Sequence, residues 1–304
     1  MKKLLLCLTA LSCVIISQAE NVTLEFNLSK GATYTQTTQS NVNMAMGMPE
    51  QSINIDISII TGVSFTVTAI KETVYDINVV YDSMAIKVSM PNMTQEFHTG
   101  AVDPNDMLSN MMNQLKGKSF QLMLSKKGNI LAVNHLDSIF SALTVVTDQL
   151  PAEQQAQFKI QLEQNFGKEA FCSNLENAFA IFPDKTVAVG DTWIRMNKTK
   201  SNNMPVDIAT TYTLKEITDD WYVISGVSVI SADSTSSFSG MMPSASMKMD
   251  ITGNMTSDIK LNRTTNWPIS NSSKTFLDAA LKMEGEGGMD MKMKVSGETI
   301  MKGE

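Results

Sequence analysis

The sequence predicts an α+β fold that is mainly antiparallel β: long curved sheets or a half-barrel, with a central helical insert packed on one face. Three observations predict it. Apolar and polar residues alternate over long stretches, the period-2 signature of half-buried strands. Charged residues make up only 18% of the chain against 43% apolar, and Ser, Thr and Asn supply the remaining polarity. The alternating stretches also occupy both ends of the 304-residue chain, with helical stripes only between them.

The first nineteen residues read as a leader. Met1-Lys2-Lys3 is a basic start, Leu4 to Ile16 an apolar run too short to span a bilayer, and Ser17-Gln18-Ala19 a small-x-small cleavage site. Cleavage after Ala19 gives an exported chain, periplasmic or extracellular, that begins at Glu20. A lipid anchor at Cys13 is the weaker alternative, because Leu11 stands one place too late for the usual lipobox.

Residues 20–100 form an N-terminal β-lobe. Val22, Leu24, Phe26 and Leu28 alternate with polar residues and read as a half-buried strand. From Ile53 to Ala69 the odd positions hold one apolar register, with Gly62 as a bulge or bend that lets so long a strand curve. Tyr75, Ile77, Val79 and Tyr81 follow, and the parity then switches to Met84, Ile86, Val88 and Met90.

Residues 101–183 form the helical insert. Asp103-Pro104 opens a helix to about Leu115, with Asp as cap and Pro in the first turn. A hairpin interrupts, Phe120–Leu124 against Ile130–Val133 around Ser125–Asn129. Asn134 caps a next helix with Asp137 in the capping-box position, and Pro151 to Gly167 make another. The last helix carries Phe171, Leu175, Ala178, Phe179 and Phe182 as one apolar stripe, made to lie on a sheet. Cys172 on that face is the one thiol left after cleavage, expected buried and inert.

Residues 184–304 form a C-terminal β-lobe, and 20–304 read as one continuous unit. Met247, Met249 and Ile251 share a face, as do Met255, Ile259 and Leu261. Leu277, Ala279, Leu281 and Met283 lead through a turn at Gly285 to Gly288 into Met289, Met291, Met293 and Val295. The lobes share marks in order: Gly31-Ala32-Thr33-Tyr34 with Gly190-Asp191-Thr192-Trp193, and Ile70-Lys71-Glu72 with Leu214-Lys215-Glu216. Those marks suggest a duplicated β-lobe.

The segment from Phe182-Pro183-Asp184-Lys185 to Gly190-Asp191-Thr192-Trp193 resembles one that recurs in a family of secreted or lipid-anchored bacterial envelope proteins, described as a domain of unknown function. The Met-x-Met strands and the Lys127-Gly128-Asn129-Ile130 hairpin are similar too. The resemblance covers nearly the whole mature chain and implies an envelope setting, but it carries over no functional residues. At the level of fold alone, the chain also resembles the curved half-barrels of bacterial lipoprotein carriers, where helices plug a hydrophobic trough.

Formal net charge is −7, and −9 once Lys2 and Lys3 are removed. With no basic cluster after the leader, nucleic acid is excluded as a partner. No later run is long and apolar enough for a membrane-spanning helix. The two histidines, His98 and His135, have no metal-ligand spacing. No Gly-x-Ser-x-Gly elbow or phosphate loop occurs, so no catalytic, cofactor or metal residue is assigned and no cofactor is expected.

Methionine stands out, with 23 in the chain. In a strand, i and i+2 share a face, so each Met-x-Met sets two thioethers side by side. The candidate ligand-binding residues are Met44, Met46, Met48, Met247, Met249, Met289, Met291 and Met293. Met is soft and re-packs around varied partners. The favoured reading is a non-enzymatic binding module whose Met-rich trough takes a lipid-like ligand or an apolar envelope partner. A Cu(I)-handling protein is the alternative, since thioethers suit Cu(I). A hydrolase with an unmarked site is third.

Overall fold

A computed structural model describes residues 20–48, 51–100, 106–137, 139, 141, 151, 155–156, 168–201, 204–232, 237–238, 246–284 and 290–304. The expected leader, most of the helix expected from Pro151 to Gly167, and the turn at 285–288 lie outside these residues.

The chain opens with β1 (Thr33–Met48), β2 (Gln51–Lys71), β3 (Val74–Met90) and β4 (Met93–His98). Helix α1 (Met107–Leu115), strands β5 (Ser119–Ser125) and β6 (Ile130–Asn134), and helix α2 (Lys168–Phe179) follow. Then come β7 (Thr192–Ser201), β8 (Met204–Ile217), β9 (Trp221–Ala232), β10 (Ser237–Phe238), β11 (Ser246–Asn262), β12 (Pro268–Glu284) and β13 (Asp290–Gly303). They build one 13-stranded sheet, ordered β6-β5-β3-β2-β1-β13-β12-β11-β9-β8-β7, with β4 beside β3 and β10 beside β11. The protein is thus mainly antiparallel β in one open, curved sheet. The first strand of the sheet pairs with the last, and the C-terminal residue closes that ladder, with N–H···O bonds of 3.0 Å in both directions between Thr35 and Glu304.

Period-2 patterning becomes burial on a single face. In β2 Phe65 and Val67 are buried, and Val63, Thr61, Ile59, Ile57, Ile55 and Ile53 continue that face half-buried. The parity switch in β3 is a β-bulge. Gly62 pairs with Ser83 and Val63 with Tyr81, so Asp82 is the extra residue. Ser64 Oγ donates to Asp82 Oδ2 over 2.5 Å. Gly62 therefore faces the bulge rather than making it.

The expected strand at Val22 to Leu28 keeps its alternation but joins no ladder. Leu24, Phe26 and Leu28 are 0%, 1% and 4% exposed, yet the segment makes only an isolated bridge, Val22 to Val187. Its donors go to different turns: Phe26 N–H to Lys126 O (2.8 Å) and Asn27 N–H to Thr265 O (2.9 Å). It is a strap across one end of the sheet. Period 2 reports which side chains are buried, not which backbone groups are paired.

The helical part differs from expectation in three places. The α1 cap is Asp106, whose carboxylate accepts from Ser109 N–H at 2.9 Å, not Asp103. Asn134 caps no helix: it pairs with Gln121 as the last residue of β6. The expected hairpin forms as β5–β6 and joins the sheet beside β3. On α2, Leu175 and Phe179 pack on the core as expected, but Ala178 is exposed and Cys172 is half-buried.

The core sits between the strap, α2 and the adjoining ends of the strands. Trp267 is its centre, stacked on Tyr34 with centroids 4.7 Å apart and contacted by Phe65 at 5.2 Å, Phe179 at 5.5 Å and Phe26 at 5.8 Å. Aromatic pairs of this kind add about 0.5–1.5 kcal/mol each beyond area burial. Helix α2 touches both edge strands, β6 and β7, so the curved sheet is bridged where its ends approach.

The starts of the two lobes use the same device. Gly31 and Gly190 both have positive φ, at 84° and 96°. Gly31 N–H donates to Val67 O and Gly190 N–H to Leu214 O, each at 2.8 Å. In return Val67 N–H donates to Ala32 O (2.9 Å) and Leu214 N–H to Asp191 O (3.1 Å). Val67 and Leu214 are both fully buried.

Candidate functional site

The methionines gather at the end of the sheet away from the aromatic core. Met44 and Met46 are half-buried on the inward parity of β1, as are Met291 and Met293 on β13. Antiparallel register sets Met46 opposite Met293, Met293 opposite Ala279, and Ala279 opposite Ile251. On the other side of β1, Met46 stands opposite Ile53. The row Ile53–Met46–Met293–Ala279–Ile251 therefore crosses five strands with apolar side chains only. The next row inward is Ile55–Met44–Val295–Leu277–Gly253. Ile251 and Ala279 are buried there, with Leu277 and Met293 packed against them.

The remaining expected residues join this end by backbone register. Met249 pairs with Leu281, which pairs with Met291, and Met247 pairs with Met283. Met48 is the last residue of β1, opposite Gln51. The side chains of Met48, Met247 and Met249, and all of Met289, lie outside the described residues. The sequence reading missed the isoleucines Ile53 and Ile55 as partners of Met46 and Met44. Their alternation was visible, but nothing in it showed which strand they would face.

A polar girdle separates this apolar end from the core, which the expected trough did not include. The row Ser40–Thr299–Ser273–Ser257 runs across β1, β13, β12 and β11 on the inward face. Ser40 and Thr299 hydroxyls share a 2.9 Å hydrogen bond, and Thr210 and Ser228 share one of 2.8 Å where both are buried. Paired hydroxyls are cheap to bury, whereas a lone one costs about 1–3 kcal/mol. Asn271 Oδ1, one row nearer the core, is buried without a partner among the described residues.

Titratable groups lie nearer the aromatic end. Burial pushes the Tyr81 phenol up to about 12 and raises Tyr75 and Tyr212 as well. Among the described residues no three His, Cys, Asp or Glu side chains group as metal ligands. The inward face thus offers thioethers, branched aliphatics and paired hydroxyls.

A family model described as "Family of unknown function (DUF6263)" matches residues 72–268. No curated protein matches the chain. Among solved structures, an outer membrane channel from Pseudomonas putida F1 aligns at 6% identity over 92% of this chain and 98% of its own, with a TM-score of 0.23. Salmonella typhi OmpF aligns at 6% identity over 92% and 100%, with a TM-score of 0.25. Pseudomonas aeruginosa OccK7 aligns at 7% over 90% and 99%, with a TM-score of 0.22. Likenesses this low carry no argument about this chain. No helix among the described residues is long and apolar enough to cross a membrane, which says nothing about strands.

Proposed function

Because the chain belongs to the family of unknown function DUF6263, whose description assigns no activity, we propose a function from its own residues: a non-enzymatic binding module of the cell envelope that holds a hydrophobic ligand or partner on its Met-lined inward face. One observation carries it. The transverse row Ile53–Met46–Met293–Ala279–Ile251 is apolar across five strands, and Met46 and Met293 within it are only half-buried. An apolar row with soft, incompletely covered thioethers in it suits an occupant of variable shape.

The hydroxyl girdle sets the depth of that site, because an acyl chain gains nothing by passing paired hydroxyls. Export follows from the leader at 1–19, with cleavage after Ala19.

Native mass spectrometry of the protein taken from its own envelope tests the reading. An added mass that extracts into organic solvent supports it. A bare polypeptide mass, or a mass raised only by copper, overturns it.

A further inference from the structure

We propose that the outward face of the sheet carries a second binding site, a cleft for a neutral oligosaccharide, independent of the Met-lined face. A concavity of about 460 Å³ opens there across β3, β2, β1, β13 and β12, within the ~300–1,000 Å³ of small-molecule clefts.

Register builds its floor. Asn41 stands opposite Ser58, and Asn43 opposite Asp56. Both pairs are closed: Ser58 Oγ donates to Asn41 Oδ1 and Asn43 Nδ2 donates to Asp56 Oδ1, each at 2.8 Å. Phe276 lies in the same transverse row as Asn43, reached through Ser296. Its side chain is 55% exposed although it is a large apolar group.

The rims are charged but balanced. Lys274 pairs with Glu298 at 3.9 Å, and Lys87 with Glu96 at 2.5 Å. Within the lining, Lys87 and Lys274 offset Asp56 and Glu298. Each ammonium already has a carboxylate, so an anionic ligand finds no free counter-charge.

This combination matches the chemistry of a sugar ring. A pyranose presents hydroxyls that both donate and accept, and one face of C–H groups. The closed pairs decide what remains to meet those hydroxyls. Asn41 keeps its Nδ2 donor, Asn43 its Oδ1 acceptor, and Asp56 its second carboxylate oxygen. These groups sit on adjacent strands with their orientation fixed by existing hydrogen bonds, so little side-chain freedom is lost on binding. The exposed Phe276 ring supplies the apolar platform for the C–H face.

Calorimetric titration of the mature chain with cellotriose, maltotriose, mannotriose and diacetylchitobiose tests the site. At least one should bind saturably at millimolar concentration. Phe276→Ala and Asn43→Ala should each weaken that sugar at least about tenfold, while Phe276→Trp retains it. Phe276 is exposed, so the unfolding midpoint should hold in these variants. Binding of 1-anilinonaphthalene-8-sulfonate, which reads the inward face, should be unchanged. Absence of saturable heat with all four sugars overturns the proposal. So does sugar binding that survives both alanine variants.

Discussion

Arg195 Nη2 donates to Asn129 Oδ1 over 2.9 Å, joining the two ends of the sheet. Arg195 lies on β7, one edge strand, and Asn129 immediately precedes β6, the other. The same guanidinium donates from Nε to Ala180 O at 3.2 Å and approaches Asp184 at 3.6 Å. Beside it, Trp193 Nε1 donates to Ile181 O at 2.7 Å. The curved sheet is thus latched by side chains and by the segment after α2, without a ladder between its edges.

Arg195→Ala should lower unfolding free energy by about 2–3 kcal/mol, because a half-buried charged donor leaves more than one acceptor without a partner. Asn129→Ala removes one of those bonds and should cost about 1 kcal/mol. Urea denaturation measures both. Hydrogen exchange should quicken in β6 and β7 before it does in β1 and β13. Uniform quickening across the sheet would contradict the latch.

Gly128→Ala should be more damaging than any surface change. Gly128 has φ 84°, and a Cβ there would overlap the Phe179 carbonyl that α2 brings down onto the hairpin. Strain in the left-handed region adds about 1–2 kcal/mol to the overlap. A loss above about 2 kcal/mol, or no folded protein, is expected in denaturant titration. A near-neutral result would place α2 farther from the β5–β6 turn.

The strands were legible in the sequence because burial on one face writes period 2 directly into it. Even the bulge at Asp82 was visible, as the parity change from Tyr81 to Met84. What stayed hidden was pairing. Val22 to Leu28 carries the same alternation as a ladder strand, although its backbone bonds turns instead. Asn134 has the side chain of a cap, yet it finds a strand partner in Gln121. The outward cleft left no mark of its own in the alternation. Its one usable signal was symmetry: Asn43 and Asp56 are equidistant from the Met48–Gln51 pair, a register that sets them face to face.

Alkaline pH should destabilise the fold from above pH 10. Tyr81 packs beside Phe120, 6.2 Å between centroids, and its phenol is raised to about 12 by burial. Tyr75 and Tyr212 are raised too, chiefly by burial. In the unfolded chain these phenols ionise near 10, while the folded chain keeps them protonated. Stability is therefore complete below pH 10 and falls as pH rises towards 12, by on the order of 2 kcal/mol for Tyr81. Denaturation midpoints between pH 8 and 12 should show that slope, and Tyr81→Phe should flatten it. An unaltered slope in the variant would assign the effect elsewhere.

The methionine row distinguishes packing, ligand and metal. Met46→Leu and Met293→Leu keep volume and apolarity, so each should cost about 1.5 kcal/mol or less. Met293→Asp sets a carboxylate against Ile251 and Ala279 and should cost several times more. Anilinonaphthalene sulfonate should still bind the leucine variants. A Cu(I) titration that saturates tightly in wild type and vanishes in the leucine pair would replace the lipid-like occupant by copper.

The exported protein should begin Glu20-Asn21-Val22 on N-terminal sequencing. In the fold, Val22 pairs with Val187 and Glu20 accepts from Arg263 Nη2 at 2.7 Å. A blocked, acylated residue 13 would be the contrary result.

The pairing of β1 with β13 has a consequence for timing. Ser40 meets Thr299 across 259 residues of chain, and this seam lies in the middle of the sheet, not at its rim. Two partial sheets can form as the chain emerges, but they stay separate until the final strand arrives. Closing so long a loop is slow compared with local hairpins. The step that joins the two partial sheets therefore waits for β13, Asp290–Gly303.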